Sequence, residues 1–298
     1  MYCELFLAAH GKPKANIYLF DNTASVNIDD CTNCNIFIGP SKGSVFIRNC
    51  SQCALMVACQ QFRTRDCQDL DVFLFCSTQP IIEESKQIRF ACLQIFYEQL
   101  SAQLDSAALS VFNNSWSKIH DFTPSQGNCS CLPEDANPLQ YISFTSTEDF
   151  SLPPVSVERE HSLIPLTLGI RPPPSREVIF VLCFSDGEGK KALRNRCLEL
   201  VRIVHDNTDT TQDRVRFVQS KEVDASADDL ERILGTAERK QLAGNVIGME
   251  LCGSNAATTV KGAIERLGWT QLAYVAESAV TKQQLAKFYS FADMKLGV

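Results

Sequence analysis

The chain has 298 residues, about twice the length of a typical single domain, so two domains are expected. Hydrophobic residues make up 45% and charged residues 21%, which excludes a chain that is disordered throughout. The net charge is −7 and belongs to the first half, because residues 1–150 hold 9 Lys and Arg against 16 Asp and Glu. This acidic half disfavours a nucleic-acid partner.

Cysteine is abundant, with 14 residues in the chain and 11 of them before residue 132. Residues 1–10 lack the basic start of a signal peptide, and no apolar run reaches the ~18 residues of a membrane span. A secreted disulfide scaffold is therefore not expected. We interpret the cysteines as buried free thiols of a cytoplasmic protein.

The first half repeats itself at a spacing of 17 to 19 residues. NIYLF at 16–20 returns as NIFIG at 35–39, and the segment at 26–31 returns at 45–50 and at 62–67. The repeated segments are short, rich in β-branched and aromatic residues, and bounded by Asn, Asp, Gly or Ser, which predicts strands joined by tight turns. The period is too short for a helical repeat and fits one coil of a stacked β-solenoid such as a β-helix.

Two C-x₂-C pairs, at 31–34 and 50–53, are spaced like the ligands of a zinc site. The repeat offers another interpretation, in which these residues fill equivalent positions of successive coils. One position is shared by Cys31, Cys50 and Cys67, and the other by Cys34, Cys53 and Leu70. Because leucine cannot bind a metal, we predict stacked thiols and no metal, with a zinc-binding module as the alternative.

Six of the twelve prolines lie between residues 153 and 174, which predicts a linker at 153–175. Beyond it, residues 177–184 form the continuous apolar run of a strand buried on both faces, and residues 190–205 have apolar residues at helical spacing. Strand and helix patterns alternate from there to residue 291, which predicts a compact α/β or α+β domain.

Three further segments carry a resemblance to a known family. They are ACQQFRTRDC at 58–67, TQPIIE at 78–83 and FNNSWSKIHDF at 112–122. The chain resembles the tubulin-cofactor-C domain family, which implies a right-handed parallel β-helix at 16–152. Residues 1–15 are then an N-terminal segment and a candidate for disorder. Residues 176–298 resemble a nucleoside-diphosphate-kinase-like domain with a ferredoxin-type α/β fold.

The resemblance implies a GTPase-activating protein for a GTP-loaded Arf-like small GTPase, which controls release and trafficking of lipidated ciliary or membrane cargo. The partner would hold GTP and Mg²⁺, so the chain would need no cofactor of its own. The alternative is a scaffold or effector that binds the GTPase without accelerating hydrolysis. A monomer is expected.

The family match places an arginine finger at Arg63, with Gln60 as a polar helper and GTPase contacts at Gln61, Glu83 and Phe122. Phosphoryl transfer requires positive charge near the γ-phosphate, and a guanidinium supplies a permanent planar set of donors. Two of these residues have a plainer interpretation, since Glu83 fits an exposed turn carboxylate and Phe122 fits a core residue.

A strand at residues 61–65 would place Gln61, Arg63 and Arg65 on one face, opposite Phe62. From the residues alone, Arg63 is also interpretable as a solvated strand residue that pairs with Asp66. For Arg65, whose position has no role in the family, the solvated interpretation is the expected one.

Two positions depart from the resembled families. Anchored cofactor-C-domain proteins begin Met-Gly-Cys, are acylated there and associate with plasma membrane, cilium and basal body. Tyr2 replaces that glycine, so we expect no lipidation, only weak or indirect membrane contact and a cytoplasmic location. The kinase-like half lacks the Asn-x-x-His-Gly context of a phosphate-accepting histidine, and His205 is expected to be a cation at a helix end. No nucleoside diphosphate kinase activity is expected.

Overall fold

The structure is a computed structural model that describes residues 4–8, 15–144, 151–175, 177–206 and 215–297. The chain divides into two compact units, Met1–Ile170 and Arg171–Val298.

The first unit is a parallel β-helix, as predicted. Its strands are β1 (Glu4–Ala8), β2 (Asn16–Leu19), β3 (Ser25–Asp29), β4 (Asn35–Arg48), β5 (Ser51–Arg65), β6 (Gln68–Cys76), β7 (Ile81–Glu83), β8 (Lys86–Cys92), β9 (His120–Asp121) and β10 (Cys129–Cys131). They form one sheet in the order β1-β3-β4-β5-β6-β8-β10, with β2 on β4, β7 on β5 and β9 on β7. All of these pairings are parallel. One helix, α1 (Leu100–Ser106), follows β8.

Each coil turns at two recurrent points where the backbone has a positive φ of 45° to 57°. The first point is occupied by Asp30, Asn49, Asp66 and Glu84, and the second by Asn33, Gln52, Asp69 and Gln87. Asn and Asp tolerate this left-handed conformation better than most residues, which explains their enrichment between the strands. The spacing of the points reproduces the repeat that is visible in the sequence.

The long strand β5 bends at Gln60 and Gln61, which are both exposed and so interrupt the alternation. Before the bend β5 pairs with β6 as far as Cys59, and after it pairs with β7 from Arg63 onward. Beyond the bend, Phe62 points into the coil while Arg63 points outward, as the period-2 pattern predicts.

Five residues of the N-terminal segment 1–15, expected from the sequence to be a candidate for disorder, form a strand. Residues 4–8 form β1, which pairs in register with β3 from Glu4↔Ser25 to Ala8↔Asp29. This segment lacks the turn residues and spacing of the later coils, so the repeat did not identify it.

The predicted linker at 153–175 begins too early, because the first unit continues to Ile170. Phe96 and Ser156 exchange two backbone hydrogen bonds of 2.7 and 2.9 Å, and Trp116 Nε1 donates to Thr167 Oγ1 at 2.8 Å. Gly169 has a φ of +64°, and a Cβ there would lie 2.4 Å from Ser117 Oγ. Prolines stop regular structure but leave carbonyls and apolar side chains available for packing.

The second unit is an α/β domain with a four-stranded sheet. Its strands are β11 (Val178–Phe184), β12 (Arg216–Ala225), β13 (Gly244–Cys252) and β14 (Ala273–Val275), in the order β12-β13-β11-β14 with antiparallel neighbours throughout. The helices are α2 (Lys190–Asp206), α3 (Ala227–Leu234), α4 (Ala256–Arg266) and α5 (Thr281–Leu296). This order is the ferredoxin-type arrangement predicted for 176–298. Both faces of β11 are buried, since residues 179–184 are each at most 3% exposed. On one of these faces, Phe180 and Leu182 pack in a cluster with Phe288 of α5.

Candidate functional site

The outer surface of the β-helix near the ends of β4, β5, β7 and β9 carries all the residues predicted to contact a partner except Gln60. We call this surface the arginine face and define it by Phe46, Arg48, Gln61, Arg63, Arg65, Glu83, His120 and Phe122. The parallel register places Phe46 opposite Arg63, Arg63 opposite Ile81, and Ile81 opposite His120. Four adjacent strands therefore present side chains to one surface.

Arg63 is half-exposed at the centre of this face, with 44% of its side chain accessible. Its Nη2 donates to Glu83 Oε2 at 2.6 Å, and its Cζ lies 5.4 Å from the centroid of the Phe46 ring. The alternative interpretation, in which Arg63 pairs with Asp66, does not hold, because Asp66 Oδ2 lies 3.4 Å from Arg65 Nε and Arg63 pairs with Glu83. An ion pair as accessible as that of Arg63 and Glu83 contributes about 0–1 kcal/mol, so another anion can displace it.

The neighbouring arginines have their own counterions. Arg48 lies opposite Arg65 in the register, which would be unfavourable without compensation. Asp29 accepts two hydrogen bonds from Arg48, of 2.7 and 2.6 Å, and the hydrogen bond raises the pKa of Arg48. Glu83 lies opposite Arg65, yet its carboxylate binds Arg63 on the diagonal. The charges thus form three separate pairs.

The two glutamines lie at the bend that precedes Arg63. Gln61 Oε1 accepts a hydrogen bond from Ser44 Oγ at 3.0 Å, which ties its side chain to β4. The Gln60 carbonyl accepts from the amide and the hydroxyl of Thr78, both at 3.0 Å, and its side chain is exposed. The backbone at the bend is therefore held by hydrogen bonds, and Gln60 lies three residues before Arg63 in the chain.

Phe122 is 56% exposed, so its interpretation as a core residue is wrong. Its amide donates to the Ile82 carbonyl at 3.0 Å, which extends the pairing of β9 with β7 by one residue. The ring meets that of His120 edge-on, with centroids 4.6 Å apart. An exposed aromatic pair of this kind is typical of a protein-binding surface.

Three residues of the arginine face, Phe46, Arg48 and His120, were not predicted from the sequence. Phe46 lies 17 residues before Arg63, which is the spacing that relates 45–50 to 62–67 in the repeat. The alignment of coils could therefore have identified Phe46 as the direct neighbour of Arg63. For His120 no such signal exists, since β9 follows a long irregular segment.

The cysteines that directly follow the first turn point of each coil form a column of hydrogen-bond donors. Each thiol donates to the carbonyl two residues earlier, and Ser85 continues the column with its hydroxyl. The donations are Cys31 to Asp29 at 3.5 Å, Cys50 to Arg48 at 3.1 Å, Cys67 to Arg65 at 3.2 Å and Ser85 to Glu83 at 2.8 Å. Among the residues that the structure describes, no three His, Cys, Asp or Glu side chains are grouped to hold a metal. The absence of zinc stays a prediction.

The remaining expectations from the sequence concern His205, Tyr2 and contact with a membrane. His205 lies in the last turn of α2, at the helix end expected from the sequence, and the lack of kinase activity stays a prediction. Tyr2 lies outside the described residues. No helix in the described part of the chain is long and apolar enough to cross a membrane.

Comparison with known proteins shows which family the chain belongs to. Residues 8–122 match the family described as tubulin binding cofactor C. The chain is 41% identical to Protein XRP2 of Homo sapiens over 290 aligned residues, and this alignment covers 95% of this chain and 80% of that protein. It is 40% identical to Protein XRP2 of Gallus gallus over 290 residues, with coverage of 95% and 78%. It is 30% identical over 124 residues to Tubulin-specific chaperone C of Homo sapiens, which covers 40% of this chain and 30% of the chaperone. The chain therefore belongs to the XRP2 family and carries a cofactor-C domain.

Proposed function

We propose that this protein is a GTPase-activating protein for a GTP-loaded Arf-like small GTPase, with Arg63 as the arginine finger. The observation that carries the proposal is the half-exposed Arg63 guanidinium, held outward on the β-helix by an accessible counterion. Gln60 is the polar helper, and Gln61, Glu83 and Phe122 contact the partner. GTP and Mg²⁺ belong to the partner, so the chain itself carries no cofactor.

The backbone of Arg63 is fixed before a partner arrives. Its strand pairs with β4 on one side and β7 on the other, so the Cα position is set by two neighbours. Phosphoryl transfer is accelerated mainly by positioned charge, and a finger on a rigid sheet spends little entropy in reaching its place.

Glu83 prepares the guanidinium for this role. It keeps Arg63 extended along the surface and neutralises it while no partner is bound. A γ-phosphate with its developing charge is a stronger acceptor than one half-exposed carboxylate, so the exchange of Glu83 for phosphate oxygens is favourable. Acceleration of GTP hydrolysis would end the active state of the partner and so control the release and trafficking of its lipidated ciliary or membrane cargo.

The test is single-turnover GTP hydrolysis by a panel of Arf-like GTPases with and without the full chain. Arg63→Ala should lower the stimulated rate by about 10³–10⁵, equivalent to about 4–7 kcal/mol of transition-state stabilisation. Arg63→Lys should fail almost as badly, because an ammonium cannot donate through a planar fork. Arg65→Ala is the matched control on the same strand and face, and it should keep most of the stimulation.

Binding separates this proposal from the scaffold alternative. Arg63→Ala should retain measurable affinity for the GTP-loaded partner, because the finger acts mostly in the transition state. If the parent chain binds a GTPase and accelerates nothing, the protein is a scaffold or effector. If Arg65→Ala abolishes stimulation and Arg63→Ala does not, the finger is misassigned.

A further inference from the structure

Phe46 is the direct lateral neighbour of Arg63 in the sheet, and its ring lies beneath the guanidinium at 5.4 Å. We propose that Phe46 is a positioning residue for Arg63, which keeps the guanidinium outward and ordered while Glu83 is exchanged for a partner's phosphate oxygens. The inference rests on the proposed function and deepens it.

The backbone position of Phe46 is set by the strands on both sides of β4. Phe46 is half-buried on β4, with Asn27 of β3 opposite it on one side and Arg63 on the other. Arg48 lies 5.2 Å from the centroid of the same ring and is fixed by its two hydrogen bonds to Asp29. Phe46 therefore contacts two guanidiniums, and one of them is anchored independently of any partner.

A phosphate that binds Arg63 would displace its contact with Glu83 but not its contact with Phe46. Glu83 accepts a hydrogen bond from Nη2 of the guanidinium and therefore competes directly with an incoming anion. The contact with Phe46 uses the ring face and leaves the N–H donors of Arg63 available. When Glu83 is displaced, the ring still limits the rotamers of the long arginine side chain. The arrangement thus combines one exchangeable restraint with one permanent restraint.

The size of the effect follows from the strength of a cation–π contact. Cation–π contacts are weak at exposed sites and several times stronger where water is excluded. If this stabilisation is lost from the transition state when the ring is removed, the maximal stimulated rate should fall about 2- to 30-fold. The effect is much smaller than that of removing Arg63, as expected for a residue that acts through another.

The test combines NMR spectroscopy with a kinetic measurement, both on the full chain. The Nε–H signal of Arg63, assigned by its loss in Arg63→Lys, should show a ring-current shift and restricted motion in the parent. Phe46→Leu should abolish the shift and increase the motion, while Phe46→Trp should retain restricted motion. The control is Phe20→Leu, since Phe20 packs 4.5 Å from Phe37 in a separate aromatic cluster, and it should leave the Arg63 signal unchanged.

In the kinetic measurement, Phe46→Leu should lower the saturating rate of stimulated hydrolysis with little change in the half-saturating concentration. In an Arg63→Ala background, Phe46→Leu should have no further effect on rate. An unchanged Arg63 signal in Phe46→Leu overturns the inference, and so does a rate loss that persists without Arg63. If neither the parent nor Arg63→Ala stimulates any GTPase, the proposed function fails, and the Arg63 signal alone then decides whether Phe46 restrains the guanidinium.

Discussion

An arginine–glutamate pair lies in each unit of the molecule, and the two pairs have almost the same length. Arg63 and Glu83 are 2.6 Å apart on the β-helix, and Arg194 of α2 and Glu222 of β12 are 2.7 Å apart in the α/β unit. The exposed fractions of the side chains differ, at 44% and 24% in the first pair but 20% and 3% in the second. Water screens the first pair and scarcely reaches the carboxylate of the second.

This difference separates an exchangeable interaction from a structural one. The Arg63 pair contributes little to stability, so its guanidinium is available to another anion. The Arg194 pair compensates a carboxylate that is already desolvated, so removal of the arginine leaves a buried charge. Distance alone would have ranked the two pairs as equals, whereas exposure identifies the one that can serve a partner.

The largest stability effect in this comparison is expected at Arg194. Arg194→Ala should lower the free energy of unfolding of the second unit by about 3 kcal/mol, because the buried Glu222 carboxylate would lose the guanidinium with which it pairs. Arg63→Ala should change the stability of the first unit by less than about 1 kcal/mol. Hydrogen exchange of the β13 and β5 amides would report the two units separately.

The control for this prediction is Arg232→Ala in the same unit. The Arg232 side chain is 58% exposed where it pairs with Asp229, three residues earlier on the helix, so its removal should have a small effect. Equal losses for Arg194→Ala and Arg63→Ala would show that exposure does not separate the two pairs.

Features that depend on local pattern were predictable from the sequence. The repeat predicted a stacked β-solenoid, and the period-2 pattern placed Arg63 on the face of the strand opposite Phe62. The start of α3 also depends on a local pattern, since Ser226 and Asp229 form the reciprocal capping box that their spacing predicts. In each case the interacting residues lie within one coil or one turn, or at a fixed repeat spacing.

Features that depend on tertiary pairing were not predictable. Sequence proximity favoured Asp66 as the partner of Arg63, but the partner is Glu83, which reaches it only through the pairing of β5 with β7. The segment after residue 151 is attached to the first unit by the antiparallel bridge between Phe96 and Ser156, which no local sequence pattern predicts. The family resemblance identified Glu83 as a site residue, whereas the pattern of residues alone did not.

The buried thiols offer a smaller test, through pH. Burial raises the pKa of the Cys53 thiol from 9.0 to about 12, so the neutral thiol is favoured in the folded state. Its contribution to stability is present below pH 9 and is lost as the pH rises toward 12. At pH 10 the free energy of unfolding should be about 1 kcal/mol lower on this account than at pH 7.

Denaturant midpoints at pH 7.5 and pH 10 would measure this loss. Cys53→Ser is the matched variant, because a hydroxyl does not titrate in this range and the other groups that titrate are unchanged. The decline with pH should be shallower in Cys53→Ser than in the parent. Parallel declines would show that the Cys53 thiol does not carry the effect.

The smallest effect is expected for Cys50→Ser, and it decides between a hydrogen-bonded column and a metal site. Cys50 donates to the Arg48 carbonyl, and Ser85 makes the equivalent donation to Glu83 with a hydroxyl. Serine is thus already accommodated in this column, and Cys50→Ser should change the free energy of unfolding by less than about 1 kcal/mol. Cys50→Leu, which overfills the same space, should lower it by about 1–3 kcal/mol. A structural zinc ion would contribute about 10 kcal/mol or more to folding. Bound zinc in the purified chain, with a large drop in thermal midpoint on addition of a chelator, would therefore contradict the column and restore the zinc alternative.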